Sequence, residues 1–183
     1  MANELTLIGE IVTLIPMTVA DKDAFFQLAT QSDGSDFWYD AKQKASRTKD
    51  KFFSDWTEGY FNLEKVNDGQ CFWIFVADRR IGQVNYNEID TQNMKTELDI
   101  IIGRNADMGH GYGTDALRTL TKYLFEMLHL HKIWIEARAS NDRAIKAYKK
   151  AGFQTEASLK DEYYFEGQFV NAVRLMRIQE NAL

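Results

Sequence analysis

The chain is short of the residues that staple, break or anchor a fold. Among 183 residues there is one proline, Pro16, and one cysteine, Cys71. A single cysteine excludes an internal disulfide framework and is compatible with a reducing compartment. Cys71 sits in a run of strand hydrophobes, which suits a core position. No apolar run approaches the length of a membrane span. The N-terminal "MANELTLIGEIV" has no basic region before its apolar stretch, so it is not read as a signal peptide, and a cytoplasmic location is expected. Basic runs are also missing. With 27 acidic against 22 basic residues and a net charge of -5, nucleic-acid and membrane partners are not expected. Histidine is scarce. His129 and His131 form an isolated His-x-His without a third ligand nearby, so no metal is expected. No Gly-x-Ser-x-Gly elbow is present.

What the chain does have is 45% hydrophobic residues and alternating helical and extended patterns. One domain over residues 1–183 is expected, and at this length folding buries about 70% of the unfolded surface. "LTLIGEIVTLIPM" reads as a first strand or hairpin. Thr18 and Asp21 resemble a capping box before a short helix, "DKDAFFQLAT". Residues 31–46 read as a loop with an aromatic cluster. Phe52, Phe53, Trp56, Tyr60 and Phe61 recur at helical spacing within residues 48–66. "QCFWIFVADRRIGQVNYNEI" reads as a hairpin turning at residues 78–80, and "KTELDIIIG" as a further strand. Leu117, Leu120, Leu124 and Leu128 give a helix face. "KIWIEARA" is a strand, "NDRAIKAYKKAGF" a helix closed by Gly152, and the tail two strands around "FEG".

Two stretches carry chemistry. In "MGHGYGTD", Gly109, Gly111 and Gly113 lie between a strand and a helix. Glycine is entropically costly to order, so the cluster serves either a tight turn or a backbone that a ligand approaches closely. Free N–H groups at a helix N-terminus make such a turn suited to a phosphate. The spacing is neither the dinucleotide G-x-G-x-x-G nor a Walker A loop. Asp115, in the first helical turn, suits the same dipole as a structural residue. In the second stretch, Asn141 is either a helix cap or a ligand contact. Tyr148, seven positions later and on a similar face, is either core or functional.

Taken together, "GYGTDALRTLTKYLFE" and "IWIEARASNDRAIKAYKKAGF" resemble the GNAT superfamily of acetyl-CoA-dependent N-acetyltransferases. Gly111 and Gly113 match the glycines of its phosphate motif, with Met108 where that motif has Gln or Arg. The ends, "GEIVTLIPMTVAD" and "DEYYFEGQFVNAVRLM", are most similar to the branch holding ribosomal-protein and diamine acetyltransferases. Asn171 and Val173 stand near where that branch often has an acidic residue.

The resemblance implies an α/β (α+β) fold: a mixed, mostly antiparallel sheet of six or seven strands with helices on both faces. Its two central parallel strands, here "ELDIIIG" and "KIWIEARA", would splay into a V. The cosubstrate would be acetyl-CoA. Its pyrophosphate would lie on Met108, Gly109, His110, Gly111, Tyr112, Gly113 and Thr114. Its pantetheine amides would pair with backbone at Ile101, Ile102 and Gly103, beside Asn141. Arg143, Lys146 or Lys150 would meet the adenosine-side phosphates, or simply form a solvated helix face. Tyr148 is the family's candidate acid for the departing thiolate, so it would border the cofactor as well.

For the base, "TELDI" puts Glu97 and Asp99 on one strand face, where like charges raise one another's pKa. Either could instead bind a cationic acceptor, and Glu88 is a weaker base candidate. "SDGSDFWYD" and "KDEYYFEG" would flank the acceptor side, and their acidic and aromatic residues suit an amine: a protein N-terminus, a polyamine or an aminoglycoside. A homodimer is possible. The competing reading is a non-catalytic CoA-binding sensor or scaffold, which an intact Tyr148 and the Glu97/Asp99 pair disfavour.

Overall fold

The structure, a computed structural model, describes residues 5–54 and 56–179. The first four residues of the N-terminal reading, and Asp55 within the 48–66 helix reading, lie outside the described residues.

Eight strands form a single sheet: β1 (Leu7–Ile8), β2 (Thr13–Pro16), β3 (Gln70–Val76), β4 (Arg79–Tyr86), β5 (Lys95–Ile102), β6 (Lys132–Arg138), β7 (Gln154–Phe165) and β8 (Gln168–Ile178). Their spatial order is β1-β2-β3-β4-β5-β6-β8-β7. Every neighbouring pair is antiparallel except β5 and β6. A parallel pair needs a crossover, and α4 (Tyr112–Glu126) supplies it. The strand count exceeds the expected six or seven because the opening stretch makes two short strands around Gly9 and Glu10.

Strand alternation gives the sheet a core on each face. On β3, Phe72 and Ile74 join one cluster, with Leu98, Ile133, Ile135 and the leucines of α4. Leu117, Leu120 and Leu124 are fully buried, while Leu128 lies past the end of the helix. Cys71 and Trp73 point the other way, into an aromatic cluster under α1 (Lys22–Gln31) with Phe25, Phe52, Tyr60 and Phe61. Asp115 is structural, chiefly by anchoring: its buried carboxylate accepts the backbone N–H groups of Glu10 (3.2 Å), Ile11 (2.7 Å) and Val12 (2.9 Å). It ties the first hairpin to α4. Gly152 ends α5 (Asp142–Lys150) as a Schellman motif. Its φ is +95°, its N–H donates to Lys149 O (3.0 Å), and Phe153 N–H donates to Tyr148 O (3.1 Å).

Two local readings change. Residues 31–46 are not an unstructured loop: they hold a 3-10 turn, Asp33–Phe37, and a short helix, α2 (Ala41–Ser46). Asp40 and Gln43 cap α2 reciprocally. The helical spacing across 48–66 does not make one helix. It divides into α3 (Lys49–Phe53) and a 3-10 turn, Glu58–Phe61. Trp56 and Phe61 still reach Phe25, because the fold needs those rings in the aromatic core and not on one helical stripe.

Candidate active site

Strands β5 and β6 pair only at their first halves, residues 95–98 against 132–135. Beyond that point β5 continues to pair with β4 as far as Ile102. Strand β6 continues with β8 as far as Arg138. Residues 99–102 and 136–138 therefore part, leaving backbone along two strand edges without a ladder partner between them. Two clefts open at this V.

The first cleft, about 250 Å³, runs along the N-terminus of α4 and one face of α5. Its lining includes Ile101, Ile102, Met108, Gly109, Gly111, Tyr112, Gly113, Thr114, Asn141, Arg143 and Tyr148, with Lys146 and Lys150. Two residues expected there, Gly103 and His110, are not among its lining residues. Gly103 spends its backbone on the fold: its N–H donates to Ile81 O (2.8 Å) and its carbonyl accepts Gly34 N–H (3.2 Å). His110 turns away, stacks on Tyr112, and donates from Nε2 to Ala106 O (3.1 Å).

The glycines differ in their reasons. Gly109 and Gly111 have φ of +84° and +88°, a region that favours glycine, and Gly111 occupies the N-cap position of α4 without a side-chain cap. Gly113 is helical, and a Cβ there would meet Ile100 and Ile102 at ordinary contact distances of 3.6 and 3.8 Å. The first-turn N–H groups of α4 have no intrahelical acceptor. Ahead of them Asp107 holds the turn. Its carboxylate accepts Arg79 Nη1 and Nη2 (2.9 and 2.6 Å) and Arg104 Nε (2.9 Å), and these guanidinium donors keep it ionised well below the usual carboxylate range. Asn141 caps α5, accepting Ala144 N–H at 3.2 Å, while bordering the cleft.

The second cleft, about 520 Å³, lies on the other side of the V. It shares Phe37, Trp38, Glu136, Ala137 and Arg138 with the first. Its remaining wall is Tyr39, Gln43, Trp56, Asp99 and residues 162–165. The stretches "SDGSDFWYD" and "KDEYYFEG" thus meet around one opening, and Asp40 Oδ2 accepts Glu166 N–H (3.1 Å). Arg138 spans them, its guanidinium 3.4 Å from the Phe165 ring centroid and Nη2 donating to Asp36 O (3.0 Å).

Carboxylates concentrate where the clefts join. Asp99 lines the second cleft; Glu97, two residues deeper on the same face, lines neither, and exposed Glu88 is outside both. Burial raises Glu97 to a pKa of about 7, helped by the charges of Asp99 and Glu136. Burial also raises Asp99, against two amide donors. Asp99 Oδ2 accepts Asn85 Nδ2 (3.2 Å) and Asn87 Nδ2 (3.1 Å). Across the V, Tyr148 is buried on α5, and desolvation with the nearby Asp99 charge raises its hydroxyl above the usual tyrosine value.

Sequence reasoning passed over Glu136, Asn85 and Asn87. Glu136 Oε1 accepts Arg174 Nε (2.6 Å) and Oε2 accepts the Tyr163 hydroxyl (2.6 Å). Its place in the outer half of the second splayed strand was the available signal. Asn85 on β4 and Asn87 just past its end share a period-2 face, but their partners become visible only once β4 is registered against β5.

Residues 12–154 match the Acetyltransferase (GNAT) domain family, and the chain belongs to it. It is 30% identical over 176 residues to spermidine N(1)-acetyltransferase of Escherichia coli (strain K12), covering 94% of this chain and 88% of that protein. In fold it is similar to spermidine N-acetyltransferase from Vibrio cholerae in complex with CoA and spermine. That likeness has a TM-score of 0.77 and 23% identity, over 93% of this chain and 97% of the other. It is also similar to RimL, a ribosomal L7/L12 alpha-N-protein acetyltransferase in complex with coenzyme A. There the TM-score is 0.80 at 15% identity, over 95% and 98% of the two chains. The protein is an acetyl-CoA-dependent N-acetyltransferase with acetyl-CoA as its cosubstrate.

The first cleft has the chemistry that cosubstrate needs: open N–H groups and lysines for phosphate, parted strand edges for amides, and apolar walls. Among the described residues no group of three or more His, Cys, Asp or Glu is placed to hold a metal ion, and no helix is long and apolar enough to cross a membrane.

Proposed function

We propose that the protein transfers the acetyl group of acetyl-CoA to a primary amine of a small polycation of the polyamine class, by direct attack in a ternary complex. The observation that carries this reading is the meeting of two clefts at one point of the parted strands, with carboxylates on one side and a buried tyrosine on the other. The acceptor cleft carries Asp99, Glu136 and Glu162 among aromatic rings, a lining suited to alkylammonium groups. The sequence relative that acetylates spermidine supports the same class.

An alkylamine with a pKa near 10 arrives protonated and cannot attack. Glu97, at a pKa of about 7, is ionised enough at neutral pH to accept that proton and basic enough to do so usefully. Acetyl-CoA supplies the activated acyl group. Tyr148 stays protonated throughout the working range and donates toward the departing sulfur. Because its hydroxyl is less acidic than a thiol, its contribution is chiefly a hydrogen bond to developing charge.

Incubation with acetyl-CoA and a panel of spermidine, spermine, diamines, N-terminal peptides and aminoglycosides, read by mass spectrometry, tests the proposal. Polyamines should give the highest kcat/KM. Acetylation of peptide N-termini alone would replace the acceptor class, and no product with any amine would refute the site assignment.

A further inference from the structure

Beneath the acceptor cleft, β4 and the residue just past its end place two side-chain amides against the Glu97/Asp99 pair. Asn85 is fully buried, and its Nδ2 donates both to Asp99 Oδ2 (3.2 Å) and to Asn87 Oδ1 (2.8 Å). Asn87 Nδ2 donates to Asp99 Oδ2 (3.1 Å), and the Tyr60 hydroxyl donates to Asn87 Oδ1 (3.1 Å). Both amide orientations are thereby determined: reversing either would set a carbonyl oxygen against the carboxylate. Asn85 Oδ1 is buried with no partner among the described residues, a cost accepted only because its N–H side is committed to Asp99.

We propose that Asn85 and Asn87 form a two-amide clamp that keeps Asp99 the anionic member of the carboxylate pair, so that Asp99 is the counter-ion of the acceptor's ammonium and Glu97 receives its proton. The inference rests on the reading of the pair as the acceptor site. In the step itself an ammonium N–H bond breaks, the electron pair stays on nitrogen, and the proton passes to Glu97, which becomes a neutral acid. The clamp is needed because the groups that titrate beside Asp99 are acids. They are Glu97 on its own strand, Glu136 on β6, Cys71 on β3, Tyr60 and Tyr148. Arg174 is engaged by Glu136, and Arg138 by the Asp36 carbonyl. With desolvation and like charge both opposing ionisation, the amide donors are the local groups favouring the anion. Asp99 ionised first then opposes the ionisation of Glu97, holding it near neutrality.

Carbon-13 NMR titration of the carboxyl groups in the parent, Asn85→Ala and Asn87→Ala tests this directly. In the parent, Asp99 should ionise at lower pH than Glu97. Each substitution should raise the Asp99 midpoint by about one pH unit; Asn85→Ala should narrow its gap to Glu97, whereas Asn87→Ala should raise Glu97 as well, because Asn87 also hydrogen-bonds Glu97. The acidic limb of the kcat/KM profile should move with it. Asn87→Gln, which restores an amide, should recover part of the shift. CoA affinity by calorimetry, read on the other cleft, should change less than twofold and reports that the variants are folded. If the buried Asn85→Ala fails to fold, half-buried Asn87 carries the test. Unmoved Asp99 titration in a folded variant, or Glu97 ionising first in the parent, overturns the clamp. Full activity of Asp99→Asn would instead end the acceptor-site reading, while the titrations still judge the clamp.

Discussion

The cleft along α4 and α5 takes most of its wall from three stretches, residues 100–102, 107–117 and 136–150, and is proposed to work largely through backbone. Its chief devices are an uncapped helix start, a left-handed glycine and two strand edges that stop pairing. The cleft across the V takes its wall from five separated places, residues 37–43, 56, 99, 136–138 and 162–165, and is proposed to work through side chains. A site made of N–H groups should tolerate changes of side chain but not of φ. One made of carboxylates and rings should respond to single polar atoms while its backbone hardly matters.

The sharpest separation, and the largest effect, should come from Glu97→Gln. If Glu97 is the base, as proposed, its loss should lower kcat by about 10²–10⁴-fold while leaving CoA affinity nearly intact. The parent rate should rise with pH through about 7 as Glu97 ionises, and that limb should vanish in the variant. Stability gives a second readout of the same group. A carboxyl whose folded pKa is raised binds more protons in the native state than in the unfolded chain between the two pKa values. The parent therefore loses stability as pH rises through that window. Glu97→Gln should melt above the parent at pH 8, with the gap closing toward pH 4. Identical pH–rate profiles would move the base elsewhere.

The same contrast explains what was legible beforehand. The glycine turn, Asn141 as a cap, Tyr148 two turns later and the Gly152 stop all lie within one run of about 45 residues, so spacing alone relates them. Glu97 and Asp99 were legible as a pair because the strand period is two. Asn85 and Asn87 were not, because their meaning depends on the pairing of Asn85 with Asp99, a tertiary fact. Gly103 and His110 fall outside the lining of the first cleft, because the family motif gives order along the chain and not which backbone groups the fold has already used. Gly34 shows the reverse case. It lies in a stretch read only as a loop, yet a Cβ there would stand 2.1 Å from Ile102 O.

Tyr148→Phe tests the point where the clefts touch. The ring stays, so packing and CoA binding should survive, and kcat should fall by about ten- to a hundredfold, the low end for an acid. That end is expected because a buried hydroxyl held above the usual tyrosine value is a reluctant proton donor to a thiolate. An unchanged kcat with chemistry rate-limiting would make Tyr148 a packing residue.

On the backbone-built side, Gly111→Val should weaken CoA about tenfold in calorimetry. A β-branched residue at φ +88° costs about 1–3 kcal/mol, which the turn relieves by moving its N–H groups off their line. Gly113→Ala should cost less, since its Cβ meets Ile100 and Ile102 at ordinary contact. Equal affinity in folded Gly111→Val would show that the turn geometry, and with it the contrast between the clefts, is not what holds the cofactor.

The smallest effect belongs to the rim of the side-chain-built cleft. Glu162 lines it but is exposed on β7, in water and ions. An exposed charge acts on a cationic acceptor mainly at long range, and salt screens it over about 8 Å at physiological ionic strength. Glu162→Gln should therefore raise the KM of a polyamine about two- to threefold at low salt, leave kcat unchanged, and lose its effect near 1 M salt. CoA affinity should not change at all. A salt-independent rise in KM would mean that Glu162 makes a direct, desolvated contact with the acceptor. The opening that now counts as rim would then be part of the binding floor, and the acceptor would lie along β7 and not down toward Asp99.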